Sequence, residues 1–152
     1  MAAELTGTAR AGRAGRIRIL IVEDDFGDVM LVREALNESN LDYELEHVAD
    51  GEEAIEHLKT SAADSGATPD LVLLDLNLPK RDGWEVLEEL RFNPATHDTP
   101  VVILTSSGSP ADRLRASRSP HSIYVQKPES LGDFPAVGKR IEDFWSSSRK
   151  VN

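Results

Sequence analysis

Four short apolar runs set the rhythm of the chain, and each ends on residues that carry charge or a hydroxyl. Ile17–Val22 runs into Glu23-Asp24-Asp25, Leu71–Leu74 into Asp75, Val101–Leu104 into Thr105-Ser106-Ser107, and Ile123–Gln126 into Lys127-Pro128. Runs of this length, rich in Val, Ile and Leu, predict strands covered on both faces, as in a parallel sheet. Tyr43–Val48 alternates and adds a further short strand. Between the strands the apolar spacing becomes that of helices. Val29, Val32, Leu36 and Leu41 share one face, with Asp28 as candidate cap. Ala54, Ile55 and Leu58 follow the Asp50-Gly51 turn, and Trp84, Leu87, Leu90 and Arg91 outline a helix stopped by Asn93-Pro94. Ser109-Pro110-Ala111-Asp112 places a cap, a proline and an acid where a helix begins, and Pro120 closes that short polar segment. A last helix begins near Asp133 and carries an apolar stripe of Phe134, Val137, Ile141, Phe144 and Trp145. Five strands alternating with five helices predict an α/β fold, a doubly wound parallel sheet with right-handed crossovers.

Residues 1–16 break the rhythm. They are rich in Ala, Gly and Arg without a periodic apolar face, and predict a disordered leader before a domain spanning 17–148, with a frayed end at 149–152. The 152-residue chain carries a formal net charge of −10. Acidity of this size argues against nucleic acid as partner, since phosphate binding needs clustered Lys and Arg. No apolar stretch approaches the roughly 18 residues that cross a bilayer. The chain has no cysteine, which excludes disulfides and thiolate chemistry and fits a cytoplasmic location.

The strand ends hold the candidate chemistry. Open α/β sheets bind ligands outside the carboxyl ends of their strands, so these acids, hydroxyl and ammonium are expected at one sheet edge. Magnesium keeps several waters and needs only one or two carboxylates besides phosphate oxygens. Asp24 and Asp75 supply carboxylates, Glu23 acts directly or through water, and Asn77 offers its backbone carbonyl. A carboxylate beside such a cation is a competent phosphoryl acceptor. Lys127 and the Thr105 hydroxyl would bind the oxygens of the transferred group.

The order Glu23-Asp24, Asp75, Thr105, Lys127-Pro128 resembles the receiver domain of two-component response regulators. The blocks Ile-Val-Glu-Asp-Asp (21–25), Leu-Val-Leu-Leu-Asp-Leu-Asn-Leu-Pro (71–79) and Asp-Gly (82–83) carry the likeness. It implies a flavodoxin-like sheet of strand order 2-1-3-4-5. It also implies Asp75 as phosphoacceptor, magnesium on Asp24, Asp75 and Asn77 with support from Glu23, and Thr105 and Lys127 on the phosphoryl group. Tyr124 matches the aromatic switch that swings as Thr105 moves. The long loop before the central strand, Asn-Leu-Pro-Lys-Arg-Asp-Gly (77–83) and Ile-Glu-Asp-Phe-Trp (141–145) resemble the stand-alone receivers paired with phytochrome-type sensor kinases. Pro120, where glycine is usual, together with His121, Pro135 and Gly138, departs from the pattern on the side of the last two helices.

The function expected is therefore that of a single-domain response regulator, a signalling protein and not a metabolic enzyme. It would accept a phosphoryl group on Asp75 from a histidine kinase and switch the face formed by its fourth helix, fifth strand and fifth helix. A magnesium-dependent aspartyl-phosphate phosphohydrolase is the rival reading, and a phosphorelay intermediate without its own output a variant of the first. Asn77 stands where such hydrolases place a second acid, which weighs against the rival. The aromatic residues Phe144 and Trp145 near the chain end suggest a homodimer interface.

Overall fold

The computed structural model describes residues 3–6, 16–63 and 67–149. In chain order the strands are β1 (Ala3–Thr6), β2 (Ile17–Val22), β3 (Tyr43–Val48), β4 (Leu71–Leu74), β5 (Val101–Thr105) and β6 (Ser122–Gln126). The helices are α1 (Phe26–Asn37), α2 (Gly51–Ala62), α3 (Gly83–Phe92), α4 (Pro110–Ser117) and α5 (Phe134–Arg149), the last preceded by a 3-10 turn, Leu131–Asp133. The sheet runs β1-β3-β2-β4-β5-β6. The five strands from Ile17 onward are parallel, in the expected order 2-1-3-4-5 when counted from that residue.

Alternate residues of each central strand feed two cores. Ile19, Ile21, Leu71, Leu73, Val102 and Leu104 pack under α1 and α5. Leu20, Val22, Val72, Leu74, Val101 and Ile103 pack under α2, α3 and the one buried residue of α4, Ala116. Both faces being covered is why the runs read as continuous and not alternating. Among the described residues no helix is long and apolar enough to cross a membrane.

Several local expectations need correction. Residues 1–16 were expected to form a disordered leader, yet Ala3–Thr6 pairs antiparallel with β3, Ala3 opposite His47 and Thr6 opposite Glu44. Edge pairing is a backbone interaction and needs no apolar period, so composition does not reveal it. The rest of that leader, up to residue 15, lies outside the described residues. The cap of α1 is Asp25, whose carboxylate accepts from the N–H of Asp28, and not Asp28 itself. Leu41 belongs to the connection after α1, although it still fills the core. Arg149 completes α5, and the remainder of the expected frayed end is outside the described residues.

The unusual residues near the last two helices have structural reasons. His121, not Pro120, takes the left-handed conformation, with φ of 61°. Arg91 then ties the turn by donating to the carbonyls of Thr99 (2.8 Å), Pro120 (3.0 Å) and His121 (3.2 Å). Pro135 sits in the first turn of α5, where its missing N–H has no helical partner to lose. Gly138 does not merely weaken that helix. A Cβ there would lie 2.5 Å from the Ala35 carbonyl oxygen, so glycine is what lets α5 close on α1.

Gly138→Ala therefore sets two effects against each other. Helix propensity favours alanine by about 1 kcal/mol, whereas overpacking against backbone costs about 1–3 kcal/mol. The clash is with a carbonyl that cannot swing away, so the expected result of urea denaturation is a net loss of stability. A stabilised variant would show that the α1–α5 seam is looser than described.

Candidate functional site

The ladder carries its register into the site. Val22 pairs with Leu74, and the next residue of β4's strand end, Asp75, donates its N–H to the Val22 carbonyl (3.1 Å). Glu23 N–H bonds Val48 O (3.1 Å), and Lys127 N–H bonds Thr105 O (2.7 Å). Glu23, Asp75, Thr105 and Lys127 are thus each fixed by backbone before any side chain acts.

Glu23, Asp24 and Asp75 can place one carboxylate oxygen each within 4.8 Å of one another. Glu23 and Asp75 are buried and Asp24 faces solvent. The Lys127 ammonium lies among acids, 2.6 Å from Glu23 Oε1, 2.8 Å from Asp28 Oδ2 and 3.4 Å from Asp75 Oδ2. Burial would draw the Lys127 pKa down, but its bonds to Asp28 and Glu23 outweigh that and raise it, so it is an ammonium at neutral pH. Burial pushes Glu23 up to about 7, with Asp75 adding to the rise and the Lys127 bond opposing it. Carboxylates crowded beside a solvent-facing third suit a divalent cation, whose charge would relieve their repulsion.

The segment after Asp75 is shaped by close approaches. Asn77 N–H donates to Asp75 Oδ1 (3.3 Å), and Asn77 itself is exposed at the mouth of the site. Gly83 N–H bonds Leu76 O (2.9 Å), and a Cβ at Gly83 would meet the Asp75 carbonyl at 2.3 Å. Asp82 and Glu85 form a reciprocal capping box that starts α3 at this point. The Asp-Gly pair is thus the hinge pin of the segment that leaves Asp75.

Thr105 is fully buried at the end of β5, and its hydroxyl accepts from the N–H of Ser107 (3.3 Å). The Tyr124 hydroxyl donates to the carbonyl of the same Ser107. Phe144 and Trp145 are not part of this edge. They are half-buried against the core under α1 and α5, and they line a cleft of about 530 Å³ with Pro69, Pro100 and His121, at the opposite ends of the strands.

Two residues escaped the sequence reading. Asp28 bonds Lys127, a role hidden because an acid in a first helical turn reads as a cap or dipole partner. His47 on β3 donates Nε2–H to the Glu23 carbonyl (2.7 Å), which fixes the tautomer, since a carbonyl only accepts. One polar position of an alternating strand carries no signal of that kind.

The raised Glu23 has a pH signature. Between its unperturbed 4.5 and about 7 the native protein holds a proton that the unfolded chain has released, so this group stabilises the fold below 4.5 and that stabilisation is lost as pH rises to 7. Urea midpoints of cation-free protein should fall across this window, and Glu23→Gln should flatten the fall. An unchanged slope in the variant would remove Glu23 as its source.

Comparison with known proteins accounts for the arrangement. The family model described as the response regulator receiver domain matches residues 19–137. The response regulator Rcp1 of Synechocystis sp. is 40% identical over 128 residues, covering 84% of this chain and 87% of that protein. The crystal structure of a phosphorylated cyanobacterial phytochrome response regulator, RcpA, superposes with a TM-score of 0.77 at 38% identity, covering 88% of this chain and 96% of that one. The Mn(2+)-bound form of Rcp1 gives 0.75 at 39% identity, covering 85% and 94%. With its five parallel strands and acidic edge, the chain belongs to the response regulator receiver family and is closely related to phytochrome-associated members.

Proposed function

We propose that this protein is a response regulator whose receiver domain accepts a phosphoryl group on Asp75 from a phytochrome-type sensor histidine kinase. The carrying observation is the buried Asp75 carboxylate, held by the sheet ladder between the Glu23–Asp24 acids and the Lys127 ammonium. An oxygen of Asp75 attacks phosphorus, forming an O–P bond while the P–N bond to the kinase imidazole breaks and the imidazole leaves with the electron pair. Lys127 is 3.4 Å from Asp75 and would meet the oxygens of the arriving group, with the Thr105 hydroxyl as a second donor. Asp24, Asp75 and the Asn77 carbonyl would hold magnesium, with Glu23 in support, and the bound cation would offset charge on the phosphoryl oxygens. The manganese-bound Rcp1 structure supports a divalent cation here, and the RcpA structure supports a phytochrome partner.

The reading is tested by intact mass after incubation with magnesium and a small phosphodonor such as acetyl phosphate. One phosphoryl increment is expected on wild type and none on Asp75→Asn. Equal labelling of the variant would overturn the assignment.

The same reading includes a two-fold homodimer using the face of α4, β6 and α5, with Phe144 and Trp145 in the contact. Their half-buried rings beside an open cleft support an apolar contact at that end of α5. Sedimentation at micromolar concentration should give a dimer for wild type and weaker association for Trp145→Ala. A monomeric wild type, with and without phosphodonor, would remove the dimer.

A further inference from the structure

Ser107, in the connection between β5 and α4, uses every polar atom it has. Its N–H donates to the Thr105 hydroxyl (3.3 Å), and its carbonyl accepts from Tyr124. Its own hydroxyl accepts from Ser109 N–H (3.2 Å) and donates to Asp112 Oδ2 (3.0 Å). The other oxygen of Asp112 accepts from the indole N–H of Trp84 (3.3 Å). A continuous path therefore runs from Thr105 through Ser107 and Asp112 to Trp84.

Each end of this path is anchored on a different side of the site. Trp84 lies in the first turn of α3, directly after Gly83, whose N–H is bonded to Leu76 beside the phosphoacceptor. Ser107 lies in the connection that carries Thr105. The Arg115 guanidinium covers the Trp84 ring at 4.3 Å, so the indole is held as a rigid donor. Asp112 is a carboxylate, and bonds to an ionised acceptor are roughly twice as strong as neutral ones.

We propose that Ser107, Asp112 and Trp84 are positioning residues for phosphoryl transfer, a latch that holds the Thr105 connection in its resting place. This rests on Asp75 being the phosphoacceptor. To donate to a phosphoryl oxygen, the Thr105 hydroxyl turns towards Asp75. Ser107 N–H follows its acceptor, and Ser107 Oγ is drawn away from Asp112. The latch therefore opposes the change that phosphorylation requires. The latch opens as a unit: Asp112, no longer held by Ser107 at Oδ2, turns and gives up the Trp84 indole N–H at Oδ1, and the event passes to the seam between α3 and α4.

Trp84→Phe keeps a ring beneath Arg115 and removes only the N–H donor. The full chain is labelled with acetyl phosphate and magnesium, and Asp75 phosphorylation is followed by intact mass. Loss of one net hydrogen bond corresponds to a rate about three- to tenfold faster than wild type. A residue that merely supports the fold would lower stability without raising this rate. In parallel, the two indole N–H signals of ¹⁵N-labelled wild type are assigned with Trp84→Phe and Trp145→Phe. On phosphorylation the Trp84 signal is expected to shift upfield and exchange faster with solvent, while that of Trp145 holds. An unchanged Trp84 signal in fully phosphorylated protein, or a Trp84→Phe rate equal to or below wild type, overturns the latch. Wild type that takes no label at all overturns the phosphoacceptor reading itself, and the latch falls with it.

Discussion

One buried ammonium makes the acidic edge of this sheet possible. Glu23, Asp28 and Asp75 all approach Lys127, and Asp24 stands beside them. Without the cation these carboxylates would repel one another, with Glu23 and Asp75 buried away from water. Lys127 offsets that repulsion only in part, as the raised Glu23 shows. The remaining excess of negative charge is what suits the edge to a divalent cation and then to a phosphoryl group. Stability and chemistry thus draw on the same unbalanced charge, and the site is held in a state that binding relieves.

The backbone makes this economy workable. Parallel strands of matched register bring Glu23 and Asp75 level, because Val22 and Leu74 are partners in the ladder. The N–H groups of Glu23, Asp75 and Lys127 continue the ladder beyond the strands, so the acids and the ammonium cannot drift apart to reduce their repulsion. Gly83 then lets α3 start against the Asp75 carbonyl, which a side chain would block. His47 holds the Glu23 carbonyl from the neighbouring strand.

What was legible in the sequence followed from periodicity and from residues at the ends of runs. The parallel strands, the helices between them and the set Glu23, Asp24, Asp75, Thr105 and Lys127 all leave signals of that kind. Partnerships between distant polar residues do not. Asp28 looks like any first-turn acid, yet it bonds a lysine from β6's far end. Ala3–Thr6 pairs with β3 as an edge strand, a backbone interaction that an Ala-Gly-Arg composition does not reveal. Gly138 reads as a helix weakness until Ala35 is seen against it. Pro120 reads as a broken turn until His121 supplies the left-handed residue and Arg91 the hydrogen bonds. His121 apart, the deciding partner in each case lies far away along the chain.

Asp75, and no other acid of this crowded edge, is the proposed receiver of the phosphoryl group. Reduction of the phosphorylated protein with borohydride converts an aspartyl phosphate to homoserine, and peptide mass mapping then locates the converted residue. Homoserine is expected at position 75 alone. Conversion at Asp24 or Asp28 instead, or a stable label that resists reduction, would place the phosphoryl group elsewhere and overturn the assignment.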